Sequence, residues 1–168
     1  THAGLQGTMD FEAAMVSRGQ LEPFRNLVDY VALGHFHKPF TQDDWIYNPG
    51  SLETVTVEEC AWPDRGAYLV QVDSERFPGH QAEKVITKRR PFVRLVIQVD
   101  TLLNPAEMSH AVAQAARDYM PGEGGQRPVI DIFLRGALQY DRALLDTKAL
   151  EEIVHLSCNP LVARIVDQ

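Results

Sequence analysis

Apolar residues recur at every second position near the middle of the chain and then at helical spacing further on. Residues 92–99 alternate in this way, which predicts a β-strand. Asn104 and Pro105 then suit the N-cap and first position of a helix that we predict to end near residue 119. A strand at 129–134, a helix from Asp146 and a strand at 161–166 follow. This order predicts a small sheet with helices on one face.

Shorter segments precede residue 88. The apolar run at 30–33 predicts a strand whose two faces are both covered. Residues 10–16 predict a short helix that Gly19 ends, with acidic residues in its first turn. The remaining predictions are a helical turn at 23–27, strands at 45–47, 67–73 and 83–87, a tight turn at 48–52, and alternation around Val55 and Val57. The chain as a whole is predicted to have an α+β fold.

Charge divides the chain at the basic segment Lys88-Arg89-Arg90. Residues 1–88 carry 7 Lys and Arg against 13 Asp and Glu, net −6, whereas residues 89–168 carry 9 against 10, net −1. We therefore predict two domains, 1–88 and 89–168. The total charge of −7 argues against nucleic-acid binding by bulk charge alone, although bound metal ions could supply positive charge.

No apolar run approaches the ~20 residues that a membrane span requires. The first residues show no basic segment followed by an apolar one, so no signal peptide is expected. Cys60 and Cys158 are far apart and form no Cys-x-x-Cys motif. We expect a cytoplasmic protein without a membrane partner.

Two histidines follow the strand predicted at 30–33. His35 comes directly after Gly34, His37 lies two residues further on, and His2 lies 33 residues before His35. Because the chain turns at the end of a strand, both rings of the His35–His37 motif can reach one crevice. Taken alone, the motif favours two hydrogen-bonded surface histidines over a metal site.

The order of three features resembles the calcineurin-like metallophosphoesterases. These are His2 beside a glycine, the Gly-His-x-His of 34–37, and the Tyr-Asn-Pro-Gly-Ser turn of 47–51. Within that family the chain is most similar to the SbcD-type DNA double-strand-break repair nucleases. The resemblance implies a partial metallophosphoesterase β-sandwich with α/β/β/α layers in residues 1–88. It also implies a small α/β capping domain that binds DNA in residues 89–168.

The resemblance also implies ligands and partners. His2 and His35 would bind one metal ion and His37 a second, as two Mn²⁺ or other divalent ions. Two such ions can activate water and clamp a phosphodiester. The expected partners are DNA, an SbcC-like ATPase and a second copy of the chain. The residues expected to contact DNA are Lys38, Ser51, Arg89 and Arg90.

Three motifs of that family do not occur in this sequence. They are Asp-x-His, Gly-Asp followed by a further Asp, and Gly-Asn-His-(Asp/Glu). We therefore expect the C-terminal part of a catalytic domain plus its cap, with weak metal binding, no hydrolysis by this chain alone and no assignable catalytic residue. An unpaired edge of the strand at 30–33 would favour self-association or poor order in residues 1–60.

Two other functions remain open. One is a catalytically silent module that docks DNA or an ATPase. The other is a different calcineurin-like phosphoesterase, acting on small phosphodiesters or phosphoproteins. The size of residues 89–168 speaks against the second, because a small phosphodiesterase needs no such cap.

Overall fold

The computed structural model describes residues 2–8, 15–77, 79–119 and 125–168. Within these ranges the chain has the predicted α+β fold, with ten strands, three α-helices and three short 3₁₀ helices. The residues form two compact units. The first covers Thr1–Thr54 and Ala61–Arg89, and the second covers Val55–Cys60 and Arg90–Gln168. No helix of the described part is long and apolar enough to cross a membrane.

The first unit is built from short strands. Its elements are β1 (Gly4–Leu5), β2 (Met15–Val16), α1 (Arg18–Leu21), β3 (Val31–Ala32), β4 (Phe40–Gln42), β5 (Ile46–Asn48), β6 (Gly66–Val72) and β7 (His80–Ile86). β1 pairs with β2 in parallel, β5 lies between β3 and β4, and β6 pairs with β7 as a hairpin. The buried apolar side chains around β3 and β5 are Leu5, Leu33, Trp45 and Ile46.

Two predictions for this unit are wrong in part. Residues 10–14 of the predicted helix lie outside the described residues, but Met15–Val16 form strand β2 and Gly19 lies inside α1. The reason is a capping box. The Ser17 hydroxyl accepts from the Gln20 N–H at 3.2 Å, and the Gln20 side chain accepts from the Ser17 N–H at 2.8 Å, so a helix begins after Val16.

The strand β3 is less buried than predicted. Ala32 is exposed and Val31 is partly buried, so both faces of the strand are not covered. As far as the structure describes its sheet, β3 lies at an edge and pairs only with β5. The unpaired edge agrees with the sequence expectation, whereas self-association stays a prediction.

The second unit confirms the predicted order of strands and helices. Its elements are β8 (Phe92–Gln98), α2 (Pro105–Asp118), β9 (Val129–Arg135), α3 (Thr147–Cys158) and β10 (Val162–Asp167). The three strands are parallel, with β9 in the centre. Asn104 and Asp146 cap the two helices by accepting from Glu107 N–H and Ala149 N–H, each at 3.0 Å. The helices cover one face of the sheet through a core that includes Met108, Val112, Ile130, Ile132, Leu150 and Val154.

Residues 55–60 belong to this second unit. The predicted alternation around Val55 and Val57 gives no strand, because Val57–Ala61 form a 3₁₀ helix. The Glu59 carboxylate accepts from the Val55 N–H at 3.1 Å, which turns the backbone back on itself. The pKa of Glu58 is lowered, first by its own backbone N–H and the Thr56 hydroxyl, and further by attraction from basic side chains of β8 and β10.

An ion pair between the buried Asp131 and the half-exposed Arg164 ties β9 to β10. Asp131 is only 2% exposed and lies directly opposite Arg164. Arg164 donates from Nε at 2.8 Å and from Nη2 at 2.5 Å to the two carboxylate oxygens. This bidentate contact raises the pKa of the Arg164 guanidinium. Opposite Asp131 on β8, Arg94 stacks over the Phe133 ring at 4.3 Å.

Replacing Arg164 by Ala should lower the free energy of unfolding of the second unit. Because Asp131 would stay buried without its partner while Arg164 itself is half exposed, we expect a loss of about 2–3 kcal/mol. Urea denaturation followed by circular dichroism measures it. Arg142→Ala removes a more exposed ion pair, to Asp167, and should cost less than about 1 kcal/mol. Equal losses in the two variants would contradict this account.

Candidate metal centre

The His35–His37 motif lies in the loop between β3 and β4. His35 has a φ of +72°, a left-handed value that is uncommon outside glycine. The Phe36 N–H donates to the Gly34 carbonyl at 2.9 Å, which closes a three-residue turn centred on His35. Such a conformation costs on the order of 1–3 kcal/mol, so the surrounding contacts must hold it.

Three consecutive carbonyls of this loop accept hydrogen bonds from Asn48, the last residue of β5, and from the turn that follows it. The Asn48 side-chain amide donates to the Phe36 carbonyl at 2.9 Å and to the Lys38 carbonyl at 2.8 Å. Between them, the His37 carbonyl accepts from the Ser51 N–H at 3.2 Å. The backbone on both sides of His37 is therefore fixed by one short segment, residues 48–51.

Two glycines allow the chain segments to approach this closely. Gly50 has a φ of +78°, and a Cβ there would lie 2.5 Å from the His37 carbonyl oxygen. A Cβ on Gly4 would lie 2.2 Å from the Phe36 ring. The buried Phe36 ring thus packs directly on β1, and any larger residue at position 4 would push the loop away from that strand.

These contacts bring together two histidines that are 33 residues apart. His2 precedes β1, and its Nε2 lies 3.3 Å from His35 Nδ1. The ring centroids are 5.1 Å apart and the ring planes cross at 76°. The nitrogen separation is at the long end for a hydrogen bond, for which about 2.7–3.2 Å is usual.

The pair fits a single divalent ion. Imidazole nitrogens bind divalent ions at about 2.1 Å, so two nitrogens 3.3 Å apart are close enough to bind one ion together. The described residues contain no group of three or more His, Cys, Asp or Glu side chains that could hold a metal. His2 and His35 thus offer two candidate ligands for one ion, and the described residues do not complete the two-ion site implied by the resemblance. His37 is exposed on the same loop and is not part of the pair.

The residues expected to contact DNA have roles within the fold. Lys38 is exposed, and its carbonyl accepts from the Asn48 amide. Ser51 accepts through its hydroxyl from the buried Arg65 guanidinium and donates to the Glu53 carbonyl at 2.7 Å. The Ser51 hydroxyl is thus already engaged in holding its own turn.

The two arginines of the basic segment bind backbone carbonyls. Arg89 donates to the Pro63 carbonyl at 2.9 Å in the first unit, and Arg90 donates to the Arg127 carbonyl at 2.5 Å in the second. A guanidinium has five N–H donors, so these contacts leave donors for other acceptors. Contact of Arg89 and Arg90 with DNA stays a prediction.

The structural role of Asn48 was missed at the sequence level. The Asn-Pro-Gly-Ser segment was predicted as a tight turn, and the glycine suited that conformation. Nothing in the local pattern shows that the Asn48 side chain is wholly buried against a loop ten residues earlier. A polar residue at the end of an apolar strand was the one available signal.

Removing either histidine of the pair should weaken metal binding. We expect His2→Ala and His35→Ala each to raise the Co²⁺ dissociation constant by about tenfold or more, because one nitrogen alone holds the ion poorly. Visible absorption during Co²⁺ titration measures this. His110→Ala, on the exposed side of α2, is the matched control and should leave the constant unchanged. If the three variants behave alike, the pair is not the site.

No model of a known protein family matches the chain, and no curated protein matches it significantly. The likeness to the metallophosphoesterases therefore depends on the motifs of the sequence alone.

Proposed function

We propose that this chain contributes part of the metal site of a DNA-repair nuclease of the SbcD type, which hydrolyses phosphodiesters with 3′–5′ exonuclease and endonuclease activity. The observation that carries the proposal is the approach of His2 Nε2 to within 3.3 Å of His35 Nδ1. The segment that holds the loop, residues 48–51, lies within the turn of 47–51, one of the three features on which the family resemblance depends.

The residues of this chain have definite tasks in such a site. His2 and His35 hold one divalent ion, Mn²⁺ in the resemblance, and the Asn48–Ser51 turn fixes the loop that carries His35. Such an ion would supply Lewis-acid activation of the phosphodiester. His37 stays exposed for a second ion that needs carboxylates beyond the described set. Lys38, next to it, can contact a phosphate as a point charge.

The proposal includes an expected lack of turnover. The sequence has none of the three carboxylate- and asparagine-containing motifs of the family, and a two-metal phosphodiesterase needs those ligands. The chain alone should bind an ion and DNA without cleaving it. We place it in the cytoplasm, as a dimer with an SbcC-like ATPase, where the second unit acts as the DNA-binding cap.

A catalytically silent docking module is the second candidate. It is favoured by the same missing motifs and by the engagement of Ser51, Arg89 and Arg90 within the fold. In that role the chain would bind DNA or an ATPase, and the His2–His35 pair would have no part in the contact.

A DNA-binding and cleavage assay separates the two. We expect the chain to bind a fluorescent hairpin DNA more tightly when Mn²⁺ is present, because an ion on His2 and His35 adds positive charge facing the phosphates. We expect no product above the protein-free control. Fluorescence anisotropy and gel analysis of the same samples measure both quantities.

Variants decide which candidate holds. His35→Ala should abolish the effect of Mn²⁺ on DNA affinity, and His110→Ala should retain it. A DNA affinity that changes neither with Mn²⁺ nor with the His35→Ala substitution would overturn the nuclease proposal and favour the docking module. Robust Mn²⁺-dependent hydrolysis by the chain alone would overturn the expected inactivity.

A further inference from the structure

We infer that Asn48 is the positioning residue of the histidine loop, and that its side-chain amide determines where His35 and His37 stand. This inference deepens the proposed function and rests on the loop being a metal-binding element. The Asn48 amide donates to the backbone carbonyls of Phe36 and Lys38. It acts through the backbone on either side of His37.

The amide has one orientation that the surroundings permit. Asn48 is 0% exposed, and both hydrogens of its Nδ2 are used, on the Phe36 and Lys38 carbonyls. Its Oδ1 is buried and has no hydrogen-bond partner among the described residues. Turning the amide over would place the oxygen against two carbonyl oxygens, so the donor arrangement is fixed.

A buried amide with an unsatisfied oxygen is a costly choice for the end of a strand. An apolar side chain would fill the same space without that penalty if packing were the only requirement. Aspartate has the same shape but has no N–H to donate at neutral pH, and glutamine is longer by one methylene group. The two donor bonds are what asparagine specifically supplies at this position.

The Asn48 hydrogen bonds affect His2 and His35 through Phe36. The Phe36 carbonyl is bound by Asn48, its N–H closes the turn centred on His35, and its ring packs on Gly4. Gly4 begins the strand that His2 precedes. Loss of the Asn48 bonds should therefore free the strained turn at His35 and separate the two imidazoles.

The test compares substitutions at Asn48 with one at its neighbour. We expect Asn48→Asp and Asn48→Ala to raise the Co²⁺ dissociation constant about 10–100-fold, as loss of a group that orients metal ligands does. The absorption spectrum of the saturated Co²⁺ complex should also change, because the angle between the ligands changes.

Tyr47→Phe is the matched control. Tyr47 is adjacent and buried and points to the opposite face of β5, and the substitution removes one hydrogen bond, to His80. Its constant should stay within about twofold and its spectrum unchanged.

A second substitution covers the case in which the Asn48 variants do not fold. Gly50→Ala leaves the amide intact but directs a methyl group at the His37 carbonyl oxygen. It should weaken Co²⁺ binding and alter the spectrum in the same direction. Folded variants at Asn48 or Gly50 with the parent constant and spectrum would overturn the positioning role.

The outcomes also distinguish a failure of the proposed function from a failure of the inference about Asn48. If the unsubstituted chain binds no Co²⁺, the proposed function fails. Hydrogen exchange of the Ser51 N–H then still tests whether the Asn48 amide holds the histidine loop. The Ser51 N–H should be protected in the parent chain and should exchange at least about tenfold faster in Asn48→Ala, because an opened loop loses its hydrogen bond. Unchanged exchange would overturn the inference by itself.

Discussion

The two hydrogen bonds from the buried Asn48 amide are the interaction on which the candidate site depends. They hold the carbonyls of Phe36 and Lys38, so the loop between them cannot relax. Because the loop is held, His35 can keep a left-handed backbone that would otherwise cost free energy. This constraint sets where His35 meets His2, and the two ring nitrogens then lie within 3.3 Å of each other.

A second constraint acts through the size of side chains. Gly4 lets the Phe36 ring rest on β1, and Gly50 lets the turn after β5 reach the His37 carbonyl. The site is thus assembled from three separate stretches, around residues 2–4, 34–38 and 48–51. Each stretch is short and gains its shape from the others, which differs from the second unit, where a parallel sheet and two helices share one apolar core.

The difference explains what the sequence could predict. In the second unit the signals are local: Asn104 and Asp146 stand at the helix starts, and apolar spacing identifies α2, α3 and the strands. In the first unit local patterns failed where tertiary pairing dominates, as for Met15–Val16, which pair with β1 instead of continuing a helix. The approach of His2 to His35 was expected only from the family resemblance, since no periodicity connects residues 33 apart. The task of Asn48 could not be predicted because it depends on a buried contact between two loops.

The most direct measurement is a nitrogen-15 NMR titration of the histidine rings with Zn²⁺, a diamagnetic substitute for Mn²⁺. The geometry predicts that His2 binds through Nε2 and His35 through Nδ1, so these two nitrogens should shift together at one stoichiometry. The other nitrogen of each ring should remain an N–H, and His110 should not respond. Shifts spread over all the histidines, or a response of His37 without His2, would contradict the account.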